Sequence, residues 1–198
     1  MDFYEINAKA YIEETKDLDM KVFYERFLPA IPKGGNILDA GCGSARDALY
    51  FHRLGFSVTA FDQSEQLVHL GRERTGLWIE QRLFEEITEV KEYDGIWASA
   101  SLLHCSKEEL PSIFTRLHRA LKDSGILYAS FKEGASFTKD GLLYASFTNE
   151  EFIHFIQSAT DFQITEILLS EDLRFDRRGE YWLNAYMQKK TTEDSVAL

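Results

Sequence analysis

Short apolar runs alternate with amphipathic stretches along most of the chain. The apolar runs predict five strands, at about 36–39, 57–61, 77–81, 94–98 and 126–131. Apolar positions spaced three and four residues apart predict three intervening helices, at about 45–54, 64–72 and 107–122. Strands that alternate with helices in this order predict an α/β fold built on a parallel sheet.

The two ends of the chain depart from this alternation. Helical spacing over residues 2 to about 28 predicts an N-terminal helical cap within residues 1–32, and 132–147 is predicted as a loop. A helix over 149–159 precedes strands at 162–170 and 180–188, which have no helix between them and therefore predict an antiparallel hairpin. We expect a single domain over residues 1–189 and a flexible tail over 190–198.

Composition narrows the class of protein. The chain has 198 residues and a formal net charge of −11, which disfavours a broad nucleic-acid surface. The two cysteines, Cys42 and Cys105, have no metal-like spacing, so we expect reduced thiols and no metal site. The acidic N-terminus lacks a signal-peptide core and no apolar run is long enough to span a membrane. These features predict a cytoplasmic protein with no membrane partner.

The most informative stretch reads ILDAGCGSARDALYF, from Ile37 to Phe51. A strand that ends in Asp39, a turn containing Gly41 and Gly43, and a following helix are typical of a nucleotide site in an open α/β sheet. Arg46 occupies the third glycine position of the dinucleotide fingerprint, so that fingerprint fails. Asp62 ends the next strand, where such folds place a carboxylate that accepts hydrogen bonds from ribose hydroxyls.

Four segments together resemble the class I S-adenosylmethionine-dependent methyltransferases: LDAGCGSARDALYF at 38–51, VTAFDQS at 58–64, YDGIWASASLLH at 93–104 and LHRALKDSGILYASF at 117–131. The resemblance runs from about residue 3 to 189 and, within the superfamily, is greatest to tellurite-resistance-type and related small-molecule methyltransferases. It implies a Rossmann-like, doubly wound sheet of seven strands, mostly parallel, with a C-terminal antiparallel hairpin and the N-terminal helical cap. Ala45 replaces a glycine found in many members, and we expect the turn to survive.

The resemblance also implies S-adenosyl-L-methionine as cofactor, leaving as S-adenosyl-L-homocysteine. It implies that Asp39 holds the methionine amine, Asp62 the ribose and Arg46 the carboxylate. The predicted cofactor residues, which include Tyr11 as an aromatic residue of the cap, are Tyr11, Asp39, Gly41, Cys42, Gly43, Arg46, Asp62, Gln63, Leu83, Phe84 and Ser99. Alternatively, Arg46 is a solvated residue of the first helical turn, and Tyr11, Cys42, Leu83 and Phe84 only pack.

The methyl acceptor is less well defined by the sequence. His104, after the fourth strand, is predicted as a general base, with a structural role in its loop as the alternative. Arg174, Arg177 and Tyr144 are predicted to bind the acceptor, and the alternative for the arginines is pairing with nearby carboxylates. We predict in-line methyl transfer to a small-molecule acceptor by a monomer or homodimer. The alternatives are a methyltransferase of tRNA or protein and a non-catalytic protein that binds S-adenosylmethionine.

Overall fold

The computed structural model describes residues 2–189, and the predicted tail over 190–198 lies outside the described residues. Its strands are β1 (Asn36–Ala40), β2 (Ser57–Asp62), β3 (Ile79–Gln81), β4 (Tyr93–Ala98), β5 (Leu121–Glu133), β6 (Phe137–Lys139), β7 (Leu142–Tyr144), β8 (Ser146–Phe147), β9 (Phe162–Glu171) and β10 (Tyr181–Lys189). Its helices are α1 (Asp2–Thr15), α2 (Lys21–Phe27), α3 (Arg46–Arg53), α4 (Glu65–Thr75), α5 (Leu110–Ala120) and α6 (Asn149–Ala159).

The central sheet confirms the predicted α/β class. Its order is β3-β2-β1-β4-β5-β10-β9, and the short β8 pairs in parallel beside β5. β1 to β5 run parallel, whereas β10 lies antiparallel to both β5 and β9. The strand order reverses at β1 and β4, so their carboxyl ends open a crevice at the same edge of the sheet, where ligands of such folds bind.

Both faces of the sheet are covered, which explains the nearly continuous apolar runs of its strands. Within β1, Ile37 packs with residues of α2 and α3, whereas the next residue, Leu38, packs with residues of α5 and α6. Successive side chains of a strand point to opposite faces, so both are buried. No helix within residues 2–189 combines the length and the apolar character that crossing a bilayer requires.

The connection over residues 132–147 corrects the prediction of a loop. β5 extends to Glu133, and β6 and β7 form an antiparallel hairpin with Phe137 paired to Tyr144. Its two-residue turn is Asp140-Gly141, where both residues have positive φ (53° and 77°), as an Asp-Gly type I′ turn requires. Asp-Gly was therefore the hairpin signal in the sequence, and the strands were missed because each is three residues long.

The predicted N-terminal helical cap is present and consists of two helices. α1 ends at Thr15 and α2 begins at Lys21, with the Thr15 hydroxyl bonded back to the Tyr11 carbonyl oxygen (2.7 Å). Ala8 and Ile12 of α1 bury themselves against Leu67 of α4. α1 therefore lies beside the carboxyl ends of β1 and β2, because α4 directly follows β2.

A buried carboxylate joins α2, α3 and β4. Asp47 accepts hydrogen bonds from the Tyr24 hydroxyl, from the Trp97 indole Nε1 (2.9 Å), and from Nε and Nη2 of Arg46 (2.7 and 2.8 Å). Burial alone raises a carboxyl pKa, yet Arg46 and these donors hold the pKa of Asp47 below its usual value. Asp47 is therefore ionised and fully paired in the folded protein.

Replacing Asp47 with alanine is expected to lower the free energy of unfolding by about 3–5 kcal/mol, because Arg46 is then buried without its counter-charge and Trp97 Nε1 loses its acceptor. Urea unfolding followed by circular dichroism measures this loss. Glu73→Gln, on the exposed surface of α4, is the control. If the loss of unfolding free energy in Asp47→Ala is no larger than that in the control, Asp47 does not stabilise the contacts between α2, α3 and β4.

Candidate functional site

The turn after β1 needs glycine for two separate reasons. Gly41 (φ +75°) and Gly43 (φ +51°) adopt the left-handed conformation that other residues avoid. A Cβ at Gly41 would lie 2.5 Å from Ser101 Cβ, and one at Gly43 would lie 3.0 Å from the Tyr11 ring. Ala45, also left-handed (φ 54°), keeps the turn at a cost of roughly 1–2 kcal/mol, as expected for alanine at this position.

Asp62, at the end of β2, stabilises this turn by hydrogen bonds to its backbone. Its Oδ2 accepts the Gly43 N–H (2.8 Å) and its Oδ1 accepts the Ser64 N–H (3.0 Å). Burial raises the pKa of Asp62, and the backbone donors oppose that rise. Each carboxylate oxygen keeps a further acceptor position. Asp62 also lines a cavity, so those positions are available to a ligand.

Two cavities meet beside the turn. We call the first the Asp62 cavity (about 340 Å³) and the second the Lys132 cavity (about 230 Å³), after a residue that lines each. The five residues that line both, which we call the junction, are Tyr4, Tyr11, Gly41, Ala100 and His104. A ligand that extends from one cavity into the other therefore passes between α1 and the carboxyl ends of β1 and β4.

Most of the predicted cofactor residues line these cavities. Tyr11, Gly41, Gly43, Asp62, Gln63, Leu83 and Phe84 line the Asp62 cavity, and Cys42, Arg46 and Ser99 line the Lys132 cavity. Among the predicted cofactor residues, all of which lie within residues 2–189, only Asp39 lines neither cavity. It is buried and accepts a hydrogen bond from the Ala48 N–H of α3 (2.9 Å). Burial raises the pKa of Asp39.

Arg46 is held rather than solvated. Its side chain is 15% exposed, its Nε and Nη2 bind Asp47, and its Nη1 donates to the Thr15 carbonyl oxygen (3.1 Å). It therefore links the start of α3 to the end of α1. Because a guanidinium has five N–H groups, Arg46 retains donors beside the Lys132 cavity.

A second carboxylate, Asp172, organises the far wall of the Lys132 cavity. It accepts hydrogen bonds from Lys132 Nζ (2.9 Å), Trp182 Nε1 (2.9 Å), and Nε and Nη2 of Arg174 (3.0 and 2.8 Å). Glu180 is a second partner of Lys132. Burial opposes ionisation, but hydrogen bonds from Arg174 and Lys132 hold the pKa of Asp172 well below its usual range.

The two predicted acceptor arginines therefore differ. Arg174 is paired with Asp172, which is the alternative considered from the sequence, although it still lines the cavity. Arg177 also lines the cavity, and within residues 2–189 its guanidinium makes no hydrogen bond or ion pair. Tyr144 lines the same cavity and packs edge-on against His104, with ring centroids 5.0 Å apart.

His104 lies at the junction, in a single defined tautomer. Its Nδ1 lies 2.9 Å from the Leu143 carbonyl oxygen, which can only accept, so Nδ1 carries the proton. Its Nε2, 2.7 Å from the Tyr4 hydroxyl, accepts a hydrogen bond from that hydroxyl. Burial lowers the pKa of His104, which keeps the ring neutral near pH 7. Spacing along the chain gives no sign of this pairing, since Tyr4 is 100 positions away.

The chain resembles known methyltransferases in sequence and in fold. Residues 37–125 match the family described as "Methyltransferase domain". A probable S-adenosyl-L-methionine-dependent methyltransferase TehB from Haemophilus influenzae is 30% identical over 86 residues, which cover 41% of this chain and 30% of that protein. The chain therefore spans less than a third of the length of that relative.

Solved structures reproduce the fold at low sequence identity. A 1,6-didemethyltoxoflavin-N1-methyltransferase from Burkholderia thailandensis, with bound 1,6-didemethyltoxoflavin and S-adenosylhomocysteine, has a TM-score of 0.77 and 21% identity, covering 95% of this chain and 84% of that one. A TehB-like methyltransferase from Corynebacterium glutamicum has a TM-score of 0.71 and 19% identity, covering 93% and 99%. At these identities the likeness establishes the fold.

Replacing Asp172 with asparagine is expected to lower the free energy of unfolding by about 2 kcal/mol at pH 7, because Arg174 and Lys132 lose a charged acceptor while Lys132 keeps Glu180. The folded pKa of Asp172 is depressed, so its stabilisation is complete above the unfolded value and disappears as pH falls through the folded value. Urea unfolding from pH 7 downward should show a smaller acid loss in Asp172→Asn than in the wild type. An unchanged acid loss, or the same result in the exposed control Asp176→Asn, contradicts this role.

Proposed function

We propose that this chain, whose residues 37–125 match a methyltransferase domain, is a class I S-adenosylmethionine-dependent methyltransferase that transfers a methyl group from that cofactor to a small-molecule acceptor. The observation that carries the proposal is the junction, where the Asp62 cavity meets a second cavity of different chemistry. A transferase that aligns a donor and an acceptor in line requires two adjoining compartments of this kind.

The residues of the Asp62 cavity fit the adenosine part of the cofactor. The free acceptor positions of Asp62 suit the two ribose hydroxyls, and Phe84 with Leu83 offers apolar surface to the adenine. At the junction the Tyr11 hydroxyl has no hydrogen-bond partner within residues 2–189. Together with the remaining donors of Arg46, it suits the methionine carboxylate. We assign the amine to the Ser99 carbonyl, and to Asp39 only through an intervening water.

The bound cofactor supplies an activated methyl group on a sulfonium, and the protein supplies alignment and exclusion of water. α1 contributes the exclusion, because the Tyr11 ring lies against Gly43 and Tyr4 bonds His104 across the junction. The part of the Lys132 cavity beyond Arg46 and Ser99 holds the acceptor. There Arg177 provides a cation without an ion-pair partner within residues 2–189, Arg174 provides a cation that is paired with Asp172, and Tyr144 provides an aromatic wall.

Three observations support a small acceptor over a macromolecule. The acceptor cavity has a volume of about 230 Å³ and is bordered by α1, the β6–β7 hairpin and the β9–β10 connection. The net charge of −11 opposes an RNA partner. The Burkholderia neighbour is named as a methyltransferase of 1,6-didemethyltoxoflavin, which is bound in that structure.

Calorimetric titration with S-adenosylmethionine and S-adenosylhomocysteine tests the cofactor part of the proposal. The wild type is expected to bind both, and Asp62→Ala to bind at least about tenfold more weakly, because a hydrogen bond to a charged group contributes about 1.5–3 kcal/mol. Asp161→Ala, an exposed change beside β9, is the matched control, and thermal unfolding checks that each variant folds. Absence of binding by the folded wild type overturns the proposal.

A second measurement separates an enzyme from a protein that only binds the cofactor. Transfer of labelled methyl from S-adenosylmethionine to small phenols, N-heterocycles, thiols and oxyanions is expected for at least one class. Transfer to bulk tRNA or to a peptide mixture, with none to the small molecules, would favour the macromolecular alternative.

A further inference from the structure

We propose that Tyr4 and His104 form a proton relay, in which Tyr4 touches the acceptor and His104 takes the proton, and that the acceptor is therefore a neutral O–H or N–H compound. The inference rests on the proposed function and deepens it. It assigns to Tyr4 a catalytic role and to the acceptor a chemical class, distinct from thiolates and oxyanions that are already ionised.

The hydrogen bond between Tyr4 and His104 has a defined direction, from the Tyr4 hydroxyl to His104 Nε2. The Leu143 carbonyl fixes the proton of His104 on Nδ1, so the Nε2 lone pair points at the Tyr4 hydroxyl proton, with 2.7 Å between the heavy atoms. The Tyr4 oxygen retains acceptor capacity while its proton is donated to His104. Tyr4 and His104 both line the two cavities, so this oxygen lies where the donor and acceptor compartments meet.

The acceptor oxygen or nitrogen forms a bond to the methyl carbon while the carbon–sulfur bond of the sulfonium breaks and its electron pair stays on sulfur. The acceptor proton passes to the Tyr4 oxygen, and the Tyr4 proton passes to His104 Nε2. His104 then carries the positive charge, its Nδ1–H still bonded to Leu143, and releases a proton to solvent. A base is needed only for an acceptor that must lose a proton.

The surroundings of His104 suit this task. Its ionisable neighbours are Tyr4 and Tyr11 on α1, Tyr144 on β7 and Cys105 beside it, and burial raises the pKa of all four. They stay neutral near pH 7, and burial lowers the pKa of His104 itself. The charged residues that line the Asp62 cavity are Asp62, Glu85, Glu109 and Arg82. Those that line the Lys132 cavity are the carboxylates Glu14, Asp47, Asp140, Glu171 and Asp172 and the cations Arg46, Lys132, Lys139, Arg174 and Arg177.

The competing explanation is a latch. Tyr4, His104 and Leu143 join α1, the segment after β4 and β7, and such a chain would hold the cap closed without moving a proton. His104→Gln separates the two explanations, because a glutamine amide can donate to Leu143 and accept from Tyr4 but cannot act as a base. A latch tolerates this change, whereas a relay does not.

The experiment measures single-turnover methyl transfer, S-adenosylhomocysteine binding and pH dependence for the wild type, Tyr4→Phe, His104→Gln and the double variant. The acceptor probes are phenol, catechol and benzimidazole, with thiophenol and selenite as ionised comparators. We expect Tyr4→Phe and His104→Gln each to slow transfer to a protic probe by about 10²-fold or more, with cofactor binding retained. The double variant should lose no more than either single variant, because the two residues act as a unit.

The pH profile gives a readout that a latch would not change. Wild-type transfer should fall on the acid side with an apparent pKa below that of an ordinary histidine, as His104 becomes protonated, and His104→Gln should lose this acid-side decrease. His69→Gln and Tyr181→Phe, which change exposed side chains on α4 and at the start of β10, are the matched controls and should behave as the wild type.

Two results overturn the relay while leaving the proposed function intact: transfer only to thiophenol or selenite, or undiminished transfer to a protic probe by His104→Gln. If none of the probes is methylated, nitrogen NMR of His104 in the S-adenosylhomocysteine complex decides. A neutral ring with its proton on Nδ1, whose Nε2 resonance shifts in Tyr4→Phe, confirms the tautomer and the Tyr4-to-His104 hydrogen bond that the relay requires. A proton on Nε2 or a charged ring at pH 7.5 overturns it. Failure of the folded wild type to bind the cofactor is a separate result, which overturns the proposed function.

Discussion

The hydrogen bonds of Asp62 connect the end of β2 to the glycine turn after β1, and the whole site depends on this link. A carboxylate at that strand end holds Gly43 in a left-handed conformation, and the bare Gly43 Cα in turn allows the Tyr11 ring to lie against the turn. Because Tyr11 and Tyr4 belong to the same helix, the position of the cap follows from the conformation of the turn. One buried carboxylate therefore orders the cofactor side and the closing helix together.

Two further buried carboxylates position the cations of the Lys132 cavity. Asp47 holds Arg46 at the start of α3, and Asp172 holds Lys132 and Arg174 at the opposite wall. Each carboxylate keeps cations beside the Lys132 cavity in a chain that is acidic overall. Pairing lowers the free-energy cost of burying these charges, because an unpaired buried charge would keep its full desolvation penalty.

The fold followed from local pattern wherever an element was long enough to repeat its period. The strands β1, β2, β4 and β5 and the helix α6 were all found in the expected places. The hairpin of β6 and β7 was not predicted from the sequence, because three-residue strands show no clear alternation and only the Asp-Gly turn indicated it. The break between α1 and α2 was not predicted, because the helical spacing of apolar residues continues across it.

The site was predictable where the chemistry depends on residues close in sequence. Gly41, Gly43 and Asp62 stand at the ends of adjacent strands, and their spacing alone indicated a nucleotide. The pairing of Tyr4 with His104 and of Lys132 with Asp172 joins positions 100 and 40 residues apart. Such contacts depend on how helices and hairpins pack on the sheet, and a single sequence carries no local signal for that packing.

The most direct test of the account follows the backbone amides of the glycine turn by NMR while S-adenosylmethionine is added. Saturable shifts are expected for the amides of Gly41, Gly43 and Gln63 beside Asp62. The amides of Gly76 and Gly179, which lie outside both cavities, should not shift. An unaltered spectrum, or shifts confined to residues away from the turn, would contradict the claim that this turn is the cofactor site.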